Sequence, residues 1–171
     1  MSVRVHPLQV DHWPQVLAVQ DTAYAELGPE PADVMRSKWQ VSPDTCFVAQ
    51  KADELLGYIL THPWPLPDIP PPLYQPTRIE QTGGSTLFIH DLAVAPRARG
   101  YGVAHALFSQ IYQVAHDNNM HCLMLVAVQG ASGFWLRQGF TCCPHHAGAL
   151  DSYGEGACLM KKYVKQTRSG P

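Results

Sequence analysis

Two glycines at the start of a helical run are the feature of this sequence that most directly suggests binding chemistry. The segment RARGYGVAHAL, residues 97–107, places Gly100 and Gly102 between two arginines and an apolar helical pattern. The first amides of a helix have no intrahelical partner and carry the positive end of the helix dipole. Glycines there remove the side chains that would hold an anion away from those amides. The spacing predicts an anion site, and a tight strand-to-helix turn without a ligand is the alternative.

Two common phosphate-binding motifs do not account for these glycines. No Gly-Lys-Ser/Thr follows them, so the segment is not the loop that binds nucleoside triphosphates. A third glycine is absent and the preceding strand comes late in the chain, which makes the segment a poor dinucleotide-binding fingerprint. A phosphate- or nucleotide-binding protein of another fold is kept as one interpretation.

The elements around the glycines predict a sheet flanked by helices. Apolar spacing predicts a helix starting near Trp13, a shorter one at 32–39, one from Val103 to about 118, and a short one at 132–138. The β-rich runs predict strands at 3–10, 86–94, 121–128, from Phe140 and at 155–164, with a hairpin within 45–62. The central strand–helix–strand order predicts an α/β (α+β) fold whose sheet is mixed because of the hairpin.

Composition predicts one globular domain over residues 1–171. The chain has 171 residues, of which 46% are hydrophobic, and a formal net charge of −2, which gives no general attraction to nucleic acid or anionic membranes. It contains no apolar run of about 18 residues and no signal-peptide pattern at its start. Its five cysteines have irregular spacing, which does not indicate a disulfide framework. We therefore expect a reduced, cytoplasmic protein with no nucleic-acid partner and no membrane partner.

Residues 63–84 form an unusual proline-rich segment. Seven of the 15 prolines lie there, and proline lacks the amide that a helix interior or a central strand requires. Two interpretations are open. The segment is either an exposed spacer or a semi-rigid loop whose apolar side chains cover a binding site.

Together with a second motif, the glycine segment resembles the GNAT superfamily of acyl-coenzyme A (CoA)-dependent N-acetyltransferases. The family motif Arg/Gln-x-x-Gly-x-Gly/Ala is matched by residues 97–102, after the strand end Leu92-Ala93-Val94-Ala95-Pro96. The family motif Ala-x-x-Phe-Tyr-x-x-x-Gly-Phe is echoed by residues 131–140. The resemblance is clearest over residues 44–163. It implies a single GNAT-type domain whose mixed sheet, of about six to seven strands, is splayed at the cofactor cleft.

The resemblance also implies acetyl-CoA as co-substrate, with no metal. The amides of Arg99 to Ala104 would bind its pyrophosphate. Leu92 and Val94 would pair with its pantetheine arm, while Phe134 and Trp135 would line the thioester end. The complete set of implied cofactor-binding residues is Leu92, Ala93, Val94, Arg97, Arg99, Gly100, Tyr101, Gly102, Val103, Ala104, Gln129, Phe134 and Trp135.

The resemblance leaves the catalytic groups less certain than the cofactor site. Trp135 stands where the family often has a tyrosine that protonates the departing thiolate, and an indole cannot supply that proton. Either Tyr153 or Cys142 replaces it, or the thiolate leaves unaided. His90 is the candidate general base, since its ordinary pKa of about 6.5 suits neutral pH, and a hydrogen-bonded core histidine is the alternative. Strand alternation predicts that Asp91 faces away from the cleft.

Aromatic and acidic residues predict a pocket for a cationic amine. Tyr24, Trp64 and Tyr74 are the predicted acceptor-binding residues, with Glu26, Glu30 and Trp39 nearby. The favoured interpretation is an N-acetyltransferase that moves an acetyl group from acetyl-CoA to a primary amine of a small molecule or peptide, by direct attack in a ternary complex. The alternative is a non-catalytic acyl-CoA-binding sensor or partner module. A monomer and a homodimer are both compatible with the sequence.

Overall fold

The computed structural model describes residues 2–26, 28–128 and 130–166, and it contains a seven-stranded sheet with helices on both faces. The strands are β1 Arg4–Pro7, β2 Cys46–Lys51, β3 Glu54–Pro63, β4 Thr86–Val94, β5 Cys122–Ala127, β6 Thr141–Cys142 and β7 Cys158–Tyr163. The helices are α1 Trp13–Ala23, α2 Ala32–Val41, α3 Val103–Asp117 and α4 Ser132–Arg137. The predicted fold class is confirmed. None of the described helices is long and apolar enough to cross a bilayer.

The two central strands of the sheet, β4 and β5, are paired along only part of their length. The order is β1-β2-β3-β4-β5-β7-β6, and all described neighbours are antiparallel except β4 and β5. These two pair only from Thr86–Cys122 to Ile89–Leu125, although β4 continues to Val94 and β5 to Ala127. The strands therefore separate beyond that point, which confirms the splay that the resemblance implied.

Apolar side chains cover both faces of the sheet. Val103, Leu107 and Ile111 of α3 pack with Trp135 of α4 on one face. On the opposite face, α1 and α2 pack against the hairpin of β2 and β3 through another buried cluster. Central strands buried on both sides carry apolar residues at consecutive positions, which explains the continuous apolar runs in β4 and β5.

The proline-rich segment is held against the rest of the chain by specific hydrogen bonds. Within the segment, the Trp64 indole donates to the carbonyl oxygen of Ile69 at 2.8 Å. The buried ammonium of Lys38 on α2 donates to the carbonyl oxygen of Gln75 at 3.1 Å and to the hydroxyl of Thr77 at 2.6 Å. These contacts favour the covering-loop interpretation over the exposed spacer.

Two expectations from the sequence need correction near the C-terminal strands. The strand predicted from Phe140 covers only Thr141–Cys142, and the Phe140 side chain before it packs into the core against Phe108 and Trp135. Cys142 and Cys158 form a disulfide, although the sequence predicted unpaired cysteines. The pairing comes from the adjacency of β6 and β7 in the sheet, which spacing along the chain does not show.

Candidate functional site

The gap between β4 and β5 contains a cavity of about 130 Å³. The separated strands contribute residues 89–92 and 125–128, and α4 contributes Trp135. The opposite wall comes from residues 28–30, which connect α1 to α2, and from three tyrosines. These tyrosines are Tyr24 of α1, Tyr74 of the proline-rich segment and Tyr153.

A β-bulge in β4 shapes this cavity. Leu60 lies opposite Asp91 while the next residue, Thr61, lies opposite Ile89, so His90 is the extra residue in the ladder. The bulge places the side chains of His90 and Asp91 on the same face, toward α1 and the connection to α2. The prediction that Asp91 faces away from the cleft is therefore wrong, because strand alternation fails at a bulge.

His90 contacts Glu30 at the cavity wall. The two groups meet at 2.5 Å between His90 Nε2 and Glu30 Oε1, with the imidazole 0% exposed and the Glu30 side chain 9% exposed. His90 Nδ1 is also buried and has no hydrogen-bond partner among the described residues. The backbone of His90 reaches the cleft while its ring is covered, so Glu30 presents the more accessible end of the pair.

The surroundings of Glu30 favour its charged form. Burial alone raises the pKa of this carboxyl, but the hydrogen bond and charge of His90, the amide of Tyr74 and the charge of Lys38 hold that pKa below its ordinary value. The Tyr74 amide donates to Glu30 Oε2 at 2.9 Å. Both carboxylate oxygens are therefore positioned by hydrogen bonds.

A second polar group surrounds Asp91. Its Oδ1 accepts from the Tyr24 hydroxyl at 2.6 Å and its Oδ2 accepts from the Tyr58 hydroxyl at 2.5 Å. Burial raises the pKa of Asp91 even though both hydrogen bonds lower it, and burial next to this carboxyl raises the pKa of both tyrosines well above the ordinary value. The two phenols therefore stay protonated at neutral pH and donate to Asp91.

The start of α3 has the geometry of an anion cradle. Gly100 and Gly102 have φ angles of +85° and +77°, and Gly102 caps the helix. Among the described residues, no atom outside the neighbouring chain lies within 4 Å of a Cβ built at either glycine. The amide of Arg99 donates to the carbonyl of Pro96 at 3.3 Å, so the cradle begins at Gly100 rather than at Arg99 as predicted. These residues fit a bound pyrophosphate.

The other residues predicted to bind the cofactor do not all lie at the cavity. Leu92 and Trp135 line the cavity, and Phe134 packs edge-on against Trp135 with ring centroids 4.8 Å apart. The Arg97 side chain turns toward the hairpin, where it pairs with Glu54 at 2.5 Å. The remaining residues comprise buried Ala93 and Val103, part-buried Val94, Ala104 in the first turn of α3, exposed Tyr101, and Gln129, which lies outside the described residues.

The predicted acceptor and acid residues are only partly brought together. Tyr24, Tyr74 and Tyr153 all line the cavity, and the Tyr153 hydroxyl donates to the carbonyl of Pro71. Burial raises the pKa of the Tyr153 phenol. Trp64 is 6% exposed, packs in an apolar cluster with Phe88 and is not among the described residues that line the cavity. Cys142 is wrong as a replacement acid, because its sulfur is bonded to Cys158.

Sequence reasoning missed the partners that hold this site. Glu30 and His90 are 60 residues apart, and Tyr24 and Asp91 are 67 residues apart, so no local pattern links them. Glu30 was expected only as one acidic group near the acceptor. The available signal was its position in the short segment between two amphipathic helices.

The separation of β4 from β5 and the glycine-capped start of α3 are the features of a GNAT-type α/β domain. Residues 13–140 match the model of the Acetyltransferase (GNAT) family, and the chain belongs to that family. This match removes the interpretation as a nucleotide-binding protein of another fold. A search of curated proteins gave no matching relative.

Solved structures share this fold at low sequence identity. Ard1 from Thermoplasma volcanium is 16% identical with a TM-score of 0.75, over 97% of this chain and 100% of that one. The PaiA N-acetyltransferase from Thermoplasma acidophilum, in complex with coenzyme A, is 12% identical with a TM-score of 0.69, over 95% and 99% of the chains. GphF, a GNAT-like decarboxylase in complex with isobutyryl-CoA, is 12% identical with a TM-score of 0.78, over 95% and 100%. At these identities the likeness shows the fold alone.

Proposed function

We propose that this protein is an acyl-CoA-dependent N-acetyltransferase that moves an acetyl group from acetyl-CoA to a primary amine by direct attack in a ternary complex. The observation that carries the proposal is the separation of β4 from β5 beyond the Ile89–Leu125 pair. It leaves a cavity with Leu92 and Trp135 in one wall and Glu30 in the opposite wall. One space can therefore receive both a thioester and an amine.

The chain offers a separate contact for each part of the cofactor. The amides that precede the first helical hydrogen bond of α3, from Ala106 to Gly102, suit the pyrophosphate. From His90 onward, β4 is paired with β3 but not with β5, so its second edge is free for the amides of a pantetheine arm. When bound, acetyl-CoA supplies an acetyl group activated as a thioester.

The Glu30–His90 pair is proposed to accept the proton that the amine must lose. An alkylammonium group has an ordinary pKa of about 10.4, so most of it is charged and unreactive at neutral pH. Glu30 binds the ammonium electrostatically, and its carboxylate then accepts the proton released by the amine nitrogen, directly or through one water. His90 fixes the orientation of the carboxylate through its 2.5 Å contact and shares the proton.

No side chain is assigned as the acid for the leaving thiolate. The Trp135 indole is not an acid at neutral pH, and the Tyr153 hydroxyl already donates to the carbonyl of Pro71. A thiol has an ordinary pKa of about 8.5, so its thiolate is a tolerable leaving group without protonation. Tyr153 stays a candidate through its place in the cavity wall.

A non-catalytic acyl-CoA-binding module is the second candidate function. It is favoured by Trp135 at the usual acid position and by the full burial of the His90 ring. Such a module would bind acetyl-CoA in the same gap and would transfer nothing.

Product mass spectrometry tests these two functions against each other. The protein is incubated with acetyl-CoA and a pool of monoamines, polyamines, amino acids and lysine peptides, and acetylated products are identified by mass. We expect at least one acetylated amine that is absent from a boiled-protein control. Tight acetyl-CoA binding by calorimetry without any acetylated product would contradict the enzyme and support the module.

A further inference from the structure

Residues 71–77 of the proline-rich segment, here called the bridge, lie beside the part of the cavity wall formed by residues 28–30, here called the acceptor wall. The Tyr74 amide donates to Glu30 Oε2 at 2.9 Å, and its hydroxyl donates to the carbonyl of Gly28 at 3.1 Å. One residue is therefore fixed at two points of the connection between α1 and α2. These bonds place the Tyr74 ring in the cavity wall next to the carboxylate of Glu30.

The same segment is also joined to the turn at Asp151–Tyr153. The amide of Leu73 donates to the hydroxyl of Ser152 at 3.0 Å, and the Tyr153 hydroxyl donates to the carbonyl of Pro71. Behind this bridge, the buried Lys38 ammonium holds the carbonyl of Gln75 and the hydroxyl of Thr77. The segment thus links the α1–α2 connection to the turn at Asp151–Tyr153 across the acceptor wall.

The size of the cavity agrees with this arrangement. Its volume of about 130 Å³ is less than half of the ~300 Å³ at which drug-sized pockets begin. The acetyl thioester shares this space, so the room that is left suits a primary amine with a short body, whereas the backbone of a peptide requires an open groove.

The charges in the wall restrict the acceptor further. No lysine or arginine is among the described residues that line the cavity, so the carboxylate of a free amino acid finds no basic side chain there. Glu30 offers a partner for an ammonium group, and the rings of Tyr24 and Tyr74 offer aromatic surface to the same cation. Asp91, whose two oxygens accept from tyrosine hydroxyls, is the second carboxylate in the wall. Burial raises the pKa of Asp91 while the surroundings of Glu30 hold its pKa below the ordinary value, so Glu30 is the better partner for a single ammonium group.

We infer that the acceptor is a small primary monoamine with an apolar body, and that peptide termini and protein lysines are excluded by the bridge. This inference rests on the proposed acetyltransferase function and adds the class of acceptor. Glu30 selects the positive charge, the three tyrosines and Leu73 select the apolar body, and the bridge limits its length.

Two bisubstrate conjugates test the inference by binding. Coenzyme A is joined through an acetyl bridge either to the nitrogen of 2-phenylethylamine or to the N-terminal nitrogen of a tripeptide amide. Calorimetry then compares their Kd values with that of coenzyme A. We expect the monoamine conjugate to bind at least tenfold more tightly than coenzyme A, and the peptide conjugate to bind no more tightly. The opposite order would overturn the inference.

A variant of the bridge sharpens this test. Tyr74 has a φ of +66°, so Tyr74→Gly removes the ring and its bond to Gly28 at a position where glycine is favoured. We expect the peptide conjugate to gain at least tenfold in affinity for this variant. Tyr163→Ala, at an exposed tyrosine on β7, is the control and should keep the wild-type order of affinities.

Turnover assays separate a failure of the inference from a failure of the proposed function. Acetylation of peptides with a kcat/KM equal to or above that of monoamines would leave an acetyltransferase and overturn the bridge as a size filter. If no amine of the pool is acetylated and neither conjugate binds more tightly than coenzyme A, the proposed function fails, and the inference fails with it.

Discussion

At the scale of single residues, the site depends on charges that are held away from water. The Glu30–His90 pair is almost fully buried, and removing one member of a buried polar pair leaves the other without its hydrogen-bond partner. The position of Glu30 next to the cavity gives this pair its proposed chemical role. The Asp91 group also lies in the cavity wall, where both its carboxylate oxygens accept from tyrosine hydroxyls.

The first prediction concerns the proton acceptor. Glu30→Gln keeps the size of the side chain and its acceptor oxygen but removes the charge. We expect kcat/KM for the amine to fall by about 100-fold or more, within the range for loss of a general base, while the Kd for coenzyme A stays unchanged. Steady-state kinetics and calorimetry measure the two quantities.

The control for this variant is Glu26→Gln. Glu26 is exposed and lies four residues earlier in the same connection, outside the cavity wall. It should keep wild-type kinetics. Wild-type kcat/KM in Glu30→Gln would show that the pair has a structural role only.

At the scale of elements, two local irregularities create the cleft. The bulge at His90 turns consecutive side chains of β4 toward α1, and the left-handed residues Gly100 and Gly102 turn the chain into α3. Both occur where β4 has lost β5 as its partner or has just ended. The regular parts of the sheet hold these irregular segments in place.

The second prediction concerns the glycine cap of α3. Gly102→Ala places a methyl group in open space, so its cost to folding comes from the φ of +77° and is expected to be about 1 kcal/mol. The same methyl group would occupy the proposed pyrophosphate cradle. We expect the Kd for coenzyme A to rise by about tenfold or more, since about 1.4 kcal/mol of lost contact corresponds to a factor of ten. Calorimetry and denaturant unfolding measure these effects.

Gly156→Ala is a matched control for strain alone. Gly156 has a φ of +78° and, among the described residues, has no contact within 4 Å of a built Cβ, but it lies outside the cavity wall before β7. It should lose similar stability and keep wild-type affinity for coenzyme A. Equal loss of affinity in both variants would argue against the cradle.

At the scale of the whole molecule, a buried neutral histidine links stability to pH. The His62 ring packs between Trp64 and Phe88 with centroid distances of 5.8 Å to each. Its Nδ1 contacts the carbonyl of Pro63 at 3.0 Å, while Nε2 is buried without a hydrogen-bond partner among the described residues. Burial lowers the pKa of His62 to about 3.

The third prediction follows from the sign of this shift. The ordinary pKa of 6.5 applies to His62 in the unfolded chain. Below pH 6.5 the unfolded state therefore binds a proton at His62, whereas the folded state binds it only near pH 3. Stability is therefore lost as the pH falls through that window, by up to about 1.4 kcal/mol per pH unit. His62→Phe keeps a ring in the apolar site and should lose much less stability between pH 6.5 and pH 4.5.

Urea unfolding at several pH values checks this prediction. His145→Phe, at an exposed histidine, serves as the control and should retain the wild-type slope. Parallel slopes for wild type and His62→Phe would show that protonation of other groups causes the acid sensitivity.

The local sequence determined much of this protein. Apolar periodicity located the helices and most strands, and the motifs at residues 97–102 and 131–140 indicated the family. These features were readable because helix and strand periods, glycine at a positive φ and a helix start all depend on neighbouring residues. The predicted site residues Tyr24 and Tyr74, and Leu92 and Trp135 implied by the family resemblance, line the cavity.

The tertiary structure decided what local patterns do not encode. The Glu30–His90 pair, the tyrosines on Asp91 and the Cys142–Cys158 disulfide each join residues that are distant in sequence or meet only across strands. The bulge reversed the predicted direction of Asp91, and Trp64 packs in an apolar cluster rather than in the cavity wall. Such contacts depend on which strands become neighbours and on how side chains fill the space between them, and both are set only when the whole sheet has assembled.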